Sequence, residues 1–177
     1  MIGMISVTEE RLGVFIEHVT NGDQASVVVF LDEYPAVVNE IDSVGWTPLT
    51  MAAYQGRLNI VDILLEKGAA VDLAMTGGKT PLMLAAQTGH GPVVELLLNN
   101  GADINIKDEK NRTAQTLAEE NGKRDAAALL TQWPEKQRRA KASRELAAEF
   151  ADFSAALKQD MPVRRPFIFS KNKGVTP

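Results

Sequence analysis

The chain has 177 residues, 45% apolar and 24% charged, which suits one domain with a sizeable core, alone or with an appendage. It has no cysteine, so disulfides, thiolate catalysis and Cys-based zinc sites are excluded together. Residues 1–133 carry 9 Lys/Arg against 18 Asp/Glu, while residues 134–177 carry 10 against 5, and an acidic body with a basic end argues against broad nucleic-acid binding by the body.

Aromatics are only 6% of the residues, so the core is expected to be aliphatic. No apolar run reaches the ~20 residues of a membrane span. The apolar opening Met1–Val7 lacks a basic start and meets Glu9, Glu10 and Arg11 too soon for a signal peptide. A cytoplasmic protein is expected; one secreted or periplasmic with its signal removed would read the same.

Ser6 and Glu9 have capping-box spacing ahead of a stripe at Leu12, Phe15, Ile16 and Val19, which predicts a helix ended by Asn21-Gly22. A second helix is expected over roughly Gln24–Glu33, after which Tyr34–Asn39 leads into Asp42-Ser43-Val44-Gly45. A repeat then begins. Thr47-Pro48-Leu49-Thr50-Met51-Ala52-Ala53 recurs 33 residues on as Thr80-Pro81-Leu82-Met83-Leu84-Ala85-Ala86, and more weakly as Thr113–Glu119. Ile60–Ala69 recurs as Val93–Ala102, and Ala127-Ala128-Leu129-Leu130 follows in the third copy.

Each unit reads as helix, turn, helix, loop. The Thr hydroxyl caps a helix whose first position, Pro, loses no needed N–H. Gly56, Gly89 and Gly122 fall where the chain must reverse, and Gly68 and Gly101 stop the second helices. The segment 6–41 looks like a degenerate first unit with a more polar outer side. Four units are therefore expected, at about 6–41, 42–74, 75–107 and 108–133. Ala126, Leu129, Leu130 and Trp133 form a stripe that places Trp133 in the core.

Pro134 is read as a boundary. A helix is expected within 134–160, from Glu135 to Gln159, with Leu146, Phe150, Phe153 and Leu157 on one stripe that either covers the last unit as a cap or docks on a partner. Residues 161–177 read as an extended tail. There Arg164, Arg165, Phe167 and Phe169 are candidates for insertion into a partner's groove or for self-association.

These residues resemble the ankyrin repeat, with its Gly-x-Thr-Pro-Leu-His-x-Ala-Ala-x-x-Gly pattern, aliphatic second helix and Gly-Ala-Asp. The match is strong over Gly45–Asp72 and Gly78–Asp103 and partial over Asn111–Leu130, where Ala114 replaces Pro. Thr50 and Met83 stand where the family has His, which implies slightly looser hairpins. The resemblance implies an all-α solenoid of stacked helix-turn-helix units with hairpin loops, and a role in binding another protein.

It also implies that the partner meets a concave side of hairpin tips and first helices. Carried over by position, the second unit offers Ser43, Val44, Trp46, Tyr54, Gln55 and Arg57, and the third Thr76, Lys79, Gln87 and Thr88. The fourth offers Glu109, Lys110, Arg112, Glu120 and Asn121. Trp46 and Tyr54 stand out, because the framework does not need them and rigid aromatics dominate interface energetics. A chain that is almost all repeat suits an inhibitor, an immunity-type antidote to an enzyme, or an adaptor.

Other chemistry is not supported. Gly78-Lys79-Thr80 matches the end of a phosphate loop, but Leu73 stands where that loop needs glycine. His18 and His90, without cysteine, make no convincing metal site, and both are expected to be solvated. Asp103, Asn105 and Asp108 lack the glycine and glutamate of a Ca²⁺ loop. Asn111-Arg112-Thr113 is a glycosylation sequon of consequence only in a secreted eukaryotic chain. No cofactor, metal or small-molecule substrate is expected, and no catalysis. The alternative function is nucleic-acid or anionic-membrane binding through Lys136, Arg138, Arg139, Lys141 and Arg144.

Overall fold

Helices open at the Thr-Pro pairs and close at the glycines. A computed structural model describes residues 7–159, and their side chains from residue 10 to 152. Among the described residues all regular structure is helical: α1 (Val7–Asn21), α2 (Gln24–Glu33), a 3₁₀ turn (Pro35–Asn39), α3 (Pro48–Tyr54), α4 (Leu58–Glu66), α5 (Pro81–Thr88), α6 (Gly91–Asn99), α7 (Ala114–Glu120) and α8 (Arg124–Gln159). Two units divide after Pro134.

Four helix pairs build the first unit: α1/α2, α3/α4, α5/α6, and α7 with the opening turns of α8. First helices pack in the order α1, α3, α5, α7, and second helices in the order α2, α4, α6. Alanine makes this possible. Ala52, Ala53, Ala85, Ala86 and Ala118 are wholly buried, and their small side chains let successive first helices approach closely. Between the two rows runs one continuous core from Leu12 and Phe15 through Leu49, Leu64, Leu82 and Leu97 to Leu117, Leu130 and Trp133.

The helix starts are well satisfied. Thr47 Oγ1 accepts from Thr50 N–H at 3.1 Å while Thr50 Oγ1 accepts from Thr47 N–H at 2.8 Å, so Thr50 completes a reciprocal cap. Thr80 and Thr113 cap α5 and α7 in the same way, each accepting from the N–H three residues on. Where looser hairpins were expected, Thr50 is fully buried and also donates to Thr47 O, and Met83 is 1% exposed in the core.

Successive pairs are locked through the inter-helix turns. Gly56 takes φ +68°, and a Cβ there would lie 2.6 Å from the His90 ring. His90, read as solvated, is instead half-buried over that glycine, with Nε2 3.2 Å from Tyr54 O. Arg57 takes the equivalent place one unit earlier, its Nε donating to Thr20 O at 3.1 Å, and Lys123 lies over Gly89 one unit later. Residues 57 and 90 thus place polar groups over the C-terminal ends of α1 and α3, where carbonyls lack helical partners, while the Lys123 stem covers the glycine that ends α5.

The reading of Pro134 as a helix boundary needs correction. The units divide there, but α8 continues through it from Arg124 to Gln159. Proline removes one N–H and crowds the carbonyl four residues back, at Leu130. Flanks rich in Ala, Glu, Lys and Arg carry the helix across. In the second unit Leu146 and Phe150, one helical turn apart, share one face of the helix. Phe153, Leu157 and the tail residues Arg164, Arg165, Phe167 and Phe169 lie outside the described side chains.

Candidate partner-binding face

The hairpins are fixed by their own aspartates. Asp42 Oδ1 accepts from the N–H groups of Val44 (3.0 Å) and Trp46 (2.7 Å). Two units later Asp108 Oδ1 accepts from Lys110 and Arg112, both at 2.9 Å. Between them the third unit has Met75 in that place, and its turn closes instead through two positive-φ glycines, Gly77 and Gly78. Neighbouring hairpins are stitched edge to edge, Thr76 N–H to Gly45 O (3.1 Å) and Glu109 N–H to Gly77 O (3.2 Å). Val44, Trp46, Thr76, Lys79, Glu109, Lys110 and Arg112 therefore stand on one continuous row.

A second regularity links this row to the ends of the first helices. Trp46, Lys79 and Arg112 are 33 residues apart, as are Tyr54, Gln87 and Glu120, and the structure joins them in pairs. Trp46 meets Tyr54 edge to face with ring centroids 5.4 Å apart. Lys79 Nζ donates to Gln87 Oε1 at 2.8 Å, and Arg112 Nη1 to Glu120 Oε2 at 3.2 Å. One slot thus holds an aromatic pair, then a cationic hydrogen bond, then an ion pair. The aromatic one is the most apolar part of the row, for Tyr54 is 40% exposed and Val44 beside it 70%.

Arg112 is also tied to Asp108, with Nε and Nη2 at 3.0 and 2.8 Å from the same Oδ2. Burial opposes ionisation of Asp108, but bonds from the Arg112 side chain and from the Arg112 and Lys110 N–H groups outweigh it and hold the carboxyl below its usual range. The Asp108 bond in turn raises Arg112. The remaining candidates divide. Gln55 and Glu109 are exposed beside the row. Thr88 Oγ1 donates to Leu84 O, and Asn121 Nδ2 to Leu117 O, so both complete their own helices. Arg57 is spent bracing the first pair to the second.

Residues between the units were not singled out by the sequence reading. Asn39 Oδ1 accepts from Ala70 N–H at 2.8 Å and its Nδ2 donates to Gly68 O at 3.1 Å. Asp72, 33 residues on, accepts from Asp103 N–H at 3.2 and 3.3 Å but has no amide to donate. Desolvation, with the nearby Asp103 charge, raises Asp72 above the usual carboxylate range despite that bond. The 33-residue spacing was the signal that would have found this pair.

Stacked helix pairs with hairpins on one edge define a helical repeat protein. A family model for ankyrin repeats in three copies matches residues 15–108, more than half of the chain, and the protein belongs to that family. Ankyrin repeats are generally protein–protein interaction modules and typically non-enzymatic. No curated protein matches the sequence. The fourth helix pair lies beyond the matched residues, although it repeats the Thr cap, the hairpin aspartate and the cross-row pair of the units before it.

Proposed function

We propose that the chain binds a partner protein through the hairpin tips and first-helix ends of its second to fourth units, anchored at Val44, Trp46 and Tyr54. The observation that carries this reading is the Trp46–Tyr54 pair, a half-buried indole held against an exposed phenol ring. Its rings already hold each other in place, so little conformational freedom is lost when a partner covers them. The Lys79–Gln87 and Arg112–Glu120 pairs then form a polar rim. On this reading the protein is an inhibitor, an immunity-type antidote or an adaptor, working in the cytoplasm without catalysis of its own.

The test is affinity capture with the intact chain and with a Trp46→Ala/Tyr54→Ala variant, followed by calorimetry on whatever protein the variant loses. Each single substitution is expected to weaken binding by about 2 kcal/mol or more, the usual hot-spot scale, with helical circular dichroism unchanged. Full affinity in the double variant refutes the anchor.

A second reading is nucleic-acid or anionic-membrane binding through Lys136, Arg138, Arg139, Lys141 and Arg144, all of which are exposed. It predicts steep weakening of binding with salt, abolished by deleting residues 134–177.

A further inference from the structure

We propose that the first helix pair carries a second docking surface, fitted to a basic amphipathic helix of a partner protein. A groove of about 300 Å³ opens along α2, lined by His18, Ala25, Ser26, Val29, Phe30 and Glu33. Its floor is Phe30, half-buried and stacked on the wholly buried Phe15 with ring centroids 5.1 Å apart. Val29 in its wall is 65% exposed, and Val14, one turn before His18 on α1, is 45% exposed. Large apolar groups left in water forfeit burial free energy, so this face calls for an occupant. The groove lies between antiparallel helices and runs about 10 Å from Ser26 to Glu33, two helical turns. Such a groove suits a third helix, and the described residues contain no strand whose edge an extended segment could join.

Charge selects the occupant. Residues 10–39 contain five acids, Glu10, Glu17, Asp23, Asp32 and Glu33, and one base, Arg11. Arg11 lies over the Tyr34 ring, 4.5 Å from its centroid. Asp23 caps α2 and sits 3.7 Å from His18, and Asp32 is paired with Lys67 of α4. Glu10, Glu17 and Glu33 stand exposed, Glu33 also accepting from the Tyr34 hydroxyl. Each of these three is one helical turn from an exposed valine: Glu10 and Glu17 flank Val14, and Glu33 follows Val29. The apolar face is therefore rimmed by carboxylates. A phosphate chain or an anionic lipid surface is repelled there, whereas a helix with lysines or arginines beside an apolar stripe meets both parts at once.

The experiment is calorimetric titration of the full chain with a synthetic helical peptide of Leu, Lys and Ala, about four turns long, with Leu on one face and Lys beside it. Its controls are a scrambled peptide of the same composition and a peptide with Glu in place of Lys. The Lys peptide is expected to bind at least about tenfold tighter than either control. Val14→Ser/Val29→Ser should weaken it at least about tenfold, while Leu58→Ser, at an exposed apolar position of α4, should not. Glu17→Lys/Glu33→Lys should lose the Lys peptide and take up the Glu peptide. Far-UV circular dichroism checks that the fold persists in every variant. Equal binding by the Val14/Val29 variant, or by the scrambled peptide, would mean attraction by charge alone and overturns the groove. Absence of binding overturns it too. Binding gained only when residues 1–6 are deleted assigns the groove to the chain's own segment, and a dimer of the intact chain lost in the Val14/Val29 variant assigns it to a second copy; either result overturns the proposal. Trp46→Ala/Tyr54→Ala should leave peptide binding unchanged, which separates this result from the test of the hairpin row.

Discussion

Asp72→Asn should stabilise the protein, although it leaves the size of the side chain almost unchanged. At the preceding junction Asn39 both accepts from Ala70 N–H and donates to Gly68 O. At the next junction the corresponding groups are Asp103 N–H and Gly101 O, and a carboxylate can serve only the first. An amide at position 72 adds the missing donor and removes a negative charge beside Asp103. One neutral hydrogen bond contributes about 0.5–1.5 kcal/mol net. The lower half of that range is the better expectation, since Asp72 is only half-buried and its charge is partly screened by solvent. The melting temperature should rise by roughly 1–4 °C at pH 7.

The pH dependence gives a second readout. Asp72 has its folded pKa raised, so its protonated form is the one the fold favours, and the stability it supplies in acid is lost as pH rises through the folded value. The gap between variant and natural chain should therefore open with rising pH and narrow in acid, where a protonated Asp72 can itself donate. Calorimetric melts of both proteins from acid to neutral pH measure this. A variant no more stable than the natural chain at pH 7, or a gap independent of pH, would refute the argument.

Leu97→Ala, at a fully buried position in α6, should cost about 2–5 kcal/mol in urea titration; a loss under about 0.5 kcal/mol would contradict the core register. Arg112→Ala should lower the melting temperature at pH 7 by leaving the buried Asp108 carboxylate without its guanidinium. Because the folded pKa of Asp108 is depressed, its stabilising contribution disappears as pH falls through that value, and the difference from the natural chain should shrink with it.

The fold was legible because its signals are local and periodic. Thr47-Pro48 and Thr80-Pro81 mark helix starts, the glycines mark reversals, and a 33-residue step aligns them without knowledge of tertiary structure. The alignment of the hairpins along one row was legible by the same step. Contacts between units were harder to see, because they join residues about 31 to 36 apart by direct touch: His90 on Gly56, Asn39 on Ala70. Such contacts depend on how one pair leans on the next. His90 looked solvated for this reason. At Pro134 a local rule misled, since proline's cost of a single turn was outweighed by the helix-forming sequence on both sides. Thr50 shows the reverse case, where losing the family's histidine looks like a defect until its hydroxyl is seen closing a cap.

The slot occupied by Trp46–Tyr54, Lys79–Gln87 and Arg112–Glu120 has the same backbone setting three times over with three unrelated chemistries. The tolerance this reveals has a practical side. Exchanging the pair of one unit for that of another should relocate an aromatic, cationic or ionic contact by one repeat along the row while leaving the aliphatic interior untouched. Under the proposed binding mode, a partner's footprint could be shifted stepwise by copying residue pairs the chain already contains.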